Sequence, residues 1–272
     1  MDDKSKIIQI DVDAVLRQRL PRYYRFIPRA VVRWLERTVC QDTLNELLRS
    51  NFGKTGAEFC RGVLEDMDVT YTLHGEPPTS NPRVLFVSNH PLGGLDGMIL
   101  IDVITSLFGR PVHFVVNDLL MAVVPLRDVF LPINKHGAQS RYATLTLDQA
   151  FEGDDPILMF PAGLVSRRGK EGIKDLAWNK MFVNKAIQTR RDIIPIHFSG
   201  RNSDFFYNFA HWRERLGLRF NVEMIYLPSE LVKARGRSFD IRFGKPIPWE
   251  SLRGGREAPE EAALIRRSVY NL

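Results

Sequence analysis

The sequence predicts an α/β protein, a mainly parallel central sheet flanked by helices, with an N-terminal helical extension. Two observations carry this. From residue 84 onward, apolar runs of strand length alternate with segments of helical length, and several of the strand-like runs end in turns marked by Gly or Pro. Ahead of residue 68 the pattern is helical throughout. The division expected is therefore a helical, basic segment over residues 1–67 and an α/β domain over residues 68–272. At 272 residues with 44% hydrophobic side chains, the chain is long enough to bury a substantial core.

Asp11 to Leu20 reads as a first helix, and Pro28 stands where an N1 proline opens a second over Arg29 to Val39. In and just before that second helix Ile27, Val31, Trp34, Leu35 and Val39 fall on one face. Gln41 to Ser50 and Lys54 to Met67 are further helices, Val69 to Leu73 alternates as a strand, and Glu76 to Pro82 is a loop. Next come strand 84–88, helix 96–108, strand 112–116, a short helical stretch over 118–128, strand 130–133, helix 139–151 and strand 156–160. Helix 175–190, strand 193–198, a helical or irregular segment 203–217, strands 221–226 and 239–243, and helix 257–270 complete the chain.

The net charge of +6 is informative once it is located. Seven arginines and one acid, Glu36, lie between Arg17 and Arg37, so this segment carries the whole excess while the other residues balance at 31 basic and 31 acidic. That distribution argues against a uniformly basic nucleic-acid binder and leaves no nucleic-acid partner expected. Arg25, Arg29, Arg33 and Arg37 recur every fourth residue, interleaved with Tyr23, Tyr24, Phe26 and Trp34. Two readings fit: a basic amphipathic helix docking on an anionic membrane surface, or an ordinary helix packing its apolar face on the domain with its arginines in solvent. No window reaches the roughly 18 uninterrupted apolar residues of a membrane span. The N-terminus lacks the basic-then-apolar pattern of a signal peptide, so the expectation is a peripheral protein at the cytoplasmic face.

The stretch Val84 to Gly97 concentrates the chemistry. An apolar strand runs into the turn Asn89-His90-Pro91-Leu92-Gly93-Gly94, followed by Asp96. His90 thus stands at the carboxyl end of a strand, the edge at which open α/β sheets bind ligands. Either His90 is a general base oriented by Asp96, or His90 caps a turn while Asp96 serves the N-terminus of the next helix. Further strand ends carry polar residues: Lys135 after Asn134, the block Phe160-Pro161-Ala162-Gly163-Leu164-Val165-Ser166-Arg167-Arg168, the run Ile194-Pro195-Ile196-His197, and Lys245. Arg and Lys at such points hold phosphate or carboxylate groups, or else are solvated surface charges.

Other motifs are absent. There is no GxSxG elbow, Walker loop, GxGxxG or HExxH, and the remaining histidines lack ligand spacing, so no metal site is expected. Cys40 and Cys60, without CxxC spacing, read as core packing.

Asn89-His90 with Asp96, then Pro132-Ile133-Asn134-Lys135, then Phe160-Pro161-Ala162-Gly163-Leu164-Val165-Ser166-Arg167, then Ile194-Pro195-Ile196, resembles the glycerolipid (lysophosphatidate-type) acyltransferase family in the order of its blocks. The resemblance covers residues 83 to 247. It implies that His90 activates an acceptor hydroxyl with Asp96 as orienter. It also implies that Asn89, Gly93, Gly94, Lys135, Phe160, Pro161, Gly163, Ser166, Arg167 and Arg168 bind substrate. Such enzymes move a fatty acyl chain from acyl carrier protein or coenzyme A to a hydroxyl without a bound cofactor. Their partners are thus a lipid acceptor, the thioester carrier and an anionic membrane surface, here met by Arg25, Arg29, Arg33, Trp34 and Arg37.

The chain departs from the family's pattern at two points. Five residues separate His90 from Asp96 where four are common, and Ala162 stands where a Glu follows FP. Both features are similar to the hemolysin-like or aminolipid O-acyltransferase branch, which implies an acylated amino acid as acceptor rather than lysophosphatidate. A non-catalytic lipid-binding protein on the same fold and a thioesterase are the alternatives.

Overall fold

A computed structural model describes residues 9–77, 80–133, 141–170, 172–218 and 220–272. Its N-terminal helices are α1 (Val12–Arg19), α2 (Arg29–Thr38), α3 (Gln41–Ser50) and α4 (Gly56–Asp66), followed by strand β1 (Thr70–His74). Then come β2 (Val84–Ser88), α5 (Gly94–Phe108), β3 (His113–Asn117), β4 (Phe130–Ile133), α6 (Arg141–Glu152) and β5 (Ile157–Met159). A hairpin of β6 (Arg167–Gly169) and β7 (Gly172–Lys174) precedes α7 (Met181–Thr189), β8 (Asp192–Phe198), α8 (Asp204–Arg215), α9 (Leu227–Lys233), β9 (Ser238–Phe243) and α10 (Ala258–Val269).

Seven strands form one sheet in the order β1-β9-β8-β2-β5-β3-β4, parallel throughout except at the β8–β9 pair. The expected mainly parallel sheet flanked by helices is what the chain folds into. Side chains alternate across it. Val84 and Phe86 of β2 join Phe114, Ile194 and Ile196 on the face covered by α4 and α5. Leu85 and Val87 join Val115, Ile157 and Ile193 on the face that packs residues of α6, α7 and α10. All five β2 residues are buried, as a central parallel strand covered on both faces requires. Phe59, Cys60, Val63 and Leu64 of α4 belong to the first of these clusters, so the last helix of the N-terminal segment is also part of the core.

Three expectations are corrected and one unexpected element is added. Residues 221–226 are not a strand: Val222–Tyr226 is a 3₁₀ turn running into α9, because Glu223 is buried in an ion pair that the apolar alternation around it does not anticipate. The helix expected from 175 begins only at Met181; the irregular segment before it is held by contacts of Asp175. Arg167–Gly169 pairs antiparallel with Gly172–Lys174, a hairpin too short for a periodic signal. In α2 the buried residue is Val32, which faces the fold together with half-buried Leu35 and Val39, whereas Val31 and Trp34 are exposed.

Candidate active site

The end of β2 is tied to the end of β8 through one side chain. The Asn89 amide donates to the Phe198 carbonyl at 2.9 Å and accepts from the Phe198 N–H at 2.7 Å, continuing the strand pairing past Ser88. His90 follows at the carboxyl edge of the sheet, and the turn it begins is held through its backbone polar groups. The His90 N–H donates to Asp175 Oδ1 at 3.1 Å, and its carbonyl accepts from Ser166 N–H at 2.8 Å and Ser166 Oγ at 3.2 Å. The Pro91 carbonyl accepts from Asn202 Nδ2 at 3.1 Å, and the Leu92 N–H donates to Asp96 Oδ2 at 2.9 Å. A turn partnered in this way is positioned before any substrate arrives.

Gly93 then takes φ +95°, a conformation that L side chains rarely adopt, and a Cβ there would lie 3.1 Å from the Leu227 side chain. This sharp corner starts α5 and brings Asp96 back beneath the imidazole. His90 Nδ1 lies 3.0 Å from Asp96 Oδ2. Asp96 is wholly buried and its Oδ1 also accepts from the Gly97 N–H at 2.9 Å, while the His90 side chain remains 15% exposed. Because the carboxylate acts as acceptor, the ring proton sits on Nδ1 and the Nε2 lone pair is left to act as base. The ring stacks on Phe160 with centroids 4.1 Å apart and 18° between planes, and Phe160 in turn stands edge-on to Phe114 at 5.2 Å. The imidazole is therefore oriented by a carboxylate on one nitrogen and a ring on one face, a geometry that a general base can use.

The acyltransferase family pattern matches residues 14–272, nearly the whole chain. The chain belongs to the acyltransferase family. Over 100% of its length this acyltransferase is 42% identical to a lyso-glycine lipid O-acyltransferase of Phocaeicola vulgatus and 41% identical to one of Bacteroides thetaiotaomicron, covering 98% and 100% of those chains. A solved 1-acyl-sn-glycerophosphate acyltransferase of Thermotoga maritima aligns over 95% of this chain and 97% of its own, at 15% identity and a TM-score of 0.44.

Of the residues anticipated for the enzyme's site, His90, Asp96, Phe160 and Ser166 are in mutual contact or one hydrogen bond apart. Asn89, Gly93 and Gly94 shape the turn. Pro161 is buried with its carbonyl bonded to Asn179 N–H, and Gly163 at φ +62° closes the bend after Phe160. Arg167 points away from His90 into the interior, where it and Arg213 flank the wholly buried Glu223, each at 2.8 Å. Exposed Arg168 pairs with Asp204 and bonds Asn208 of α8. Lys135 and Asn134 lie outside the described residues, while Arg25, Arg29, Arg33, Trp34 and Arg37 are all exposed.

Asp175 is a site residue that the sequence does not announce. Its Oδ1 accepts from Ser166 Oγ at 2.6 Å as well as from His90 N–H, its Oδ2 from Trp178 Nε1 at 2.9 Å, and its N–H donates to the Tyr270 hydroxyl at 2.6 Å. Burial first, then the Asp175 charge, pushes the Tyr270 phenol well above its usual range, so it stays a neutral hydroxyl. No local signal marks Asp175, whose partners lie up to 95 residues away. Among the described residues no group of three or more His, Cys, Asp or Glu is placed to hold a metal ion.

Proposed function

We propose that this acyltransferase moves a fatty acyl chain from a thioester, on acyl carrier protein or coenzyme A, to the free hydroxyl of an acylated amino acid of the lyso-glycine lipid type. His90 Nε2 takes the hydroxyl proton as the oxygen attacks the thioester carbonyl, and Asp96 stabilises the imidazolium that forms. Collapse of the tetrahedral adduct breaks the C–S bond, and the same proton passes from His90 to the departing thiolate. No covalent enzyme intermediate is needed. The observation that supports this acceptor is the end-to-end match to two lyso-glycine lipid O-acyltransferases. The FP-Ala162 block, which lacks the carboxylate common in the lysophosphatidate pattern, agrees with it.

In this reading residues 1–67 form a membrane-associating helical segment, with α4 also packed in the core, and residues 68–272 the catalytic domain. The enzyme works as a peripheral protein on the cytoplasmic face, since lipid acceptor and product remain in the bilayer. Among the described residues no helix is long and apolar enough to cross a membrane.

The test offers purified enzyme and an acyl thioester both an N-(3-hydroxyacyl)glycine and a lysophosphatidate. Transfer to the glycine lipid at the higher kcat/KM is expected. Preference for lysophosphatidate overturns the acceptor, and thioester hydrolysis unaffected by either lipid overturns the transferase reading in favour of a thioesterase.

A further inference from the structure

Helix α8 carries two apolar faces where a helix on the surface of a domain ordinarily has one. Phe206, Tyr207 and Ala210 are buried, and Arg213 anchors the same side through Glu223. Phe205, Phe209, Trp212 and Leu216, at the i, i+4, i+7, i+11 spacing, line the other side, with Trp212 59% and Leu216 72% exposed. The stripe does not stop with the helix. Gly217 at φ +68° turns the chain, and Leu218 and Phe220 continue the apolar surface, Phe220 at 82% exposure.

This surface is continuous with α2. Trp34 lines, together with Phe209, Val222, Ile225 and Tyr226, an open and mostly apolar cavity of about 400 Å³. From the α2 side of that cavity the exposed guanidinium groups of Arg25, Arg29, Arg33 and Arg37 provide positive charge. Trp, Phe and Leu side chains bordered by arginines are the composition of a surface that sits at the headgroup boundary of an anionic bilayer. The placement also serves the chemistry: the 3₁₀ turn after Phe220 leads into Leu227, whose side chain packs at Gly93, three residues from His90. A bilayer met by this face lies next to the catalytic turn.

We propose that the α8 stripe and the loop following it form a second membrane-inserting surface, separate in sequence from the N-terminal arginines, which holds the catalytic turn against an anionic lipid bilayer. The inference rests on the reading that the acceptor is a membrane lipid, but binding can be measured without catalysis.

The full chain is floated with vesicles of phosphatidylethanolamine and phosphatidylglycerol, as wild type, as the triple variant Trp212→Ser, Leu216→Ser, Phe220→Ser, and as Phe220→Glu alone. Each side chain is largely in solvent, so the fold is retained. Vesicle partitioning is expected to fall about tenfold or more in the triple variant, and binding that wild type retains in high salt is expected to vanish in both variants. Acyl transfer to a detergent-dispersed acceptor is expected to be kept while transfer to a vesicle-embedded acceptor falls. Partitioning equal to wild type overturns the proposal, as does a stripe whose loss only dissolves a dimer of this chain. Absence of acyl transfer with every acceptor, with the binding loss intact, overturns the enzymatic reading and leaves the surface standing.

Discussion

On the proposed mechanism, removing the imidazole at residue 90 removes the base, while the turn around it stays held by backbone groups and by Asp96, Ser166, Asp175 and Asn202. His90→Ala is expected to lower turnover by about 10²–10⁴. Its stability loss comes from the stack on Phe160 and from the Nδ1 hydrogen bond to buried Asp96, about 1–3 kcal/mol together. Asp175→Asn should act through the frame of the turn instead. It places an amide donor where Ser166 Oγ, His90 N–H or Trp178 Nε1 needs an acceptor, so unfolding stability falls by about 1–3 kcal/mol along with turnover. Urea unfolding midpoints measured beside kcat check both, and a His90→Ala protein with near-normal turnover would refute its role as base.

Among the elements, the join between α8 and α9 depends on one carboxylate. Glu230 accepts from the Ser203 N–H at 2.6 Å, from Ser203 Oγ at 2.7 Å and from Lys233 Nζ at 2.7 Å, while Ser203 Oγ caps the first turn of α8 at Phe206 N–H. Burial pushes the Glu230 carboxyl up, but the hydrogen bonds from Lys233 and Ser203 outweigh it and hold the group below the usual glutamate value. A carboxyl depressed in the folded state adds stability above its unfolded pKa, and that contribution is lost as pH falls through the folded value. Glu230→Gln is therefore expected to cost about 1–3 kcal/mol at neutral pH. The gap from wild type should narrow as the pH is lowered past the ordinary glutamate range. Denaturation series at stepped pH check this, and a gap that widens in acid would be the wrong sign.

For the molecule as a whole, the question is how a domain with His90 at a sheet edge reaches a lipid hydroxyl. In the proposed docking, Arg25 just before α2 and Arg29, Arg33 and Arg37 within it would supply a long-range, salt-sensitive attraction, each contributing about 1 kcal/mol near an anionic surface. Replacing Arg25, Arg29, Arg33 and Arg37 by Gln is expected to weaken partitioning onto anionic vesicles, most of all at low salt, while partitioning onto neutral vesicles stays near the wild-type level. Flotation across a salt series reads this out, and a variant that binds anionic vesicles as wild type does would assign docking to apolar contact alone.

Whatever depends on local periodicity and short chain separation can be read along the chain. The continuous apolar run of β2 announces a strand buried on both faces, and the alternation through β5 and β8 announces the parallel sheet. His90 and Asp96 lie six residues apart across a glycine corner, so chain order offers their pairing as one of two readings, and the 3.0 Å contact in the fold decides for it. Which distant groups meet is a matter of tertiary closure. Asp175 reaches His90 across 85 residues of chain, and Arg167 reaches Glu223 across 56. The alternating run 221–226 reads as a strand until Glu223 turns inward to Arg167 and Arg213. Periodicity records whether a side chain faces core or solvent along its own element, whereas the partner of a buried polar group is set by how the elements close on one another. For that reason His90 and Asp96 are readable from the sequence as a candidate pair, while the hydrogen-bonded frame holding them and the second apolar face of α8 are not.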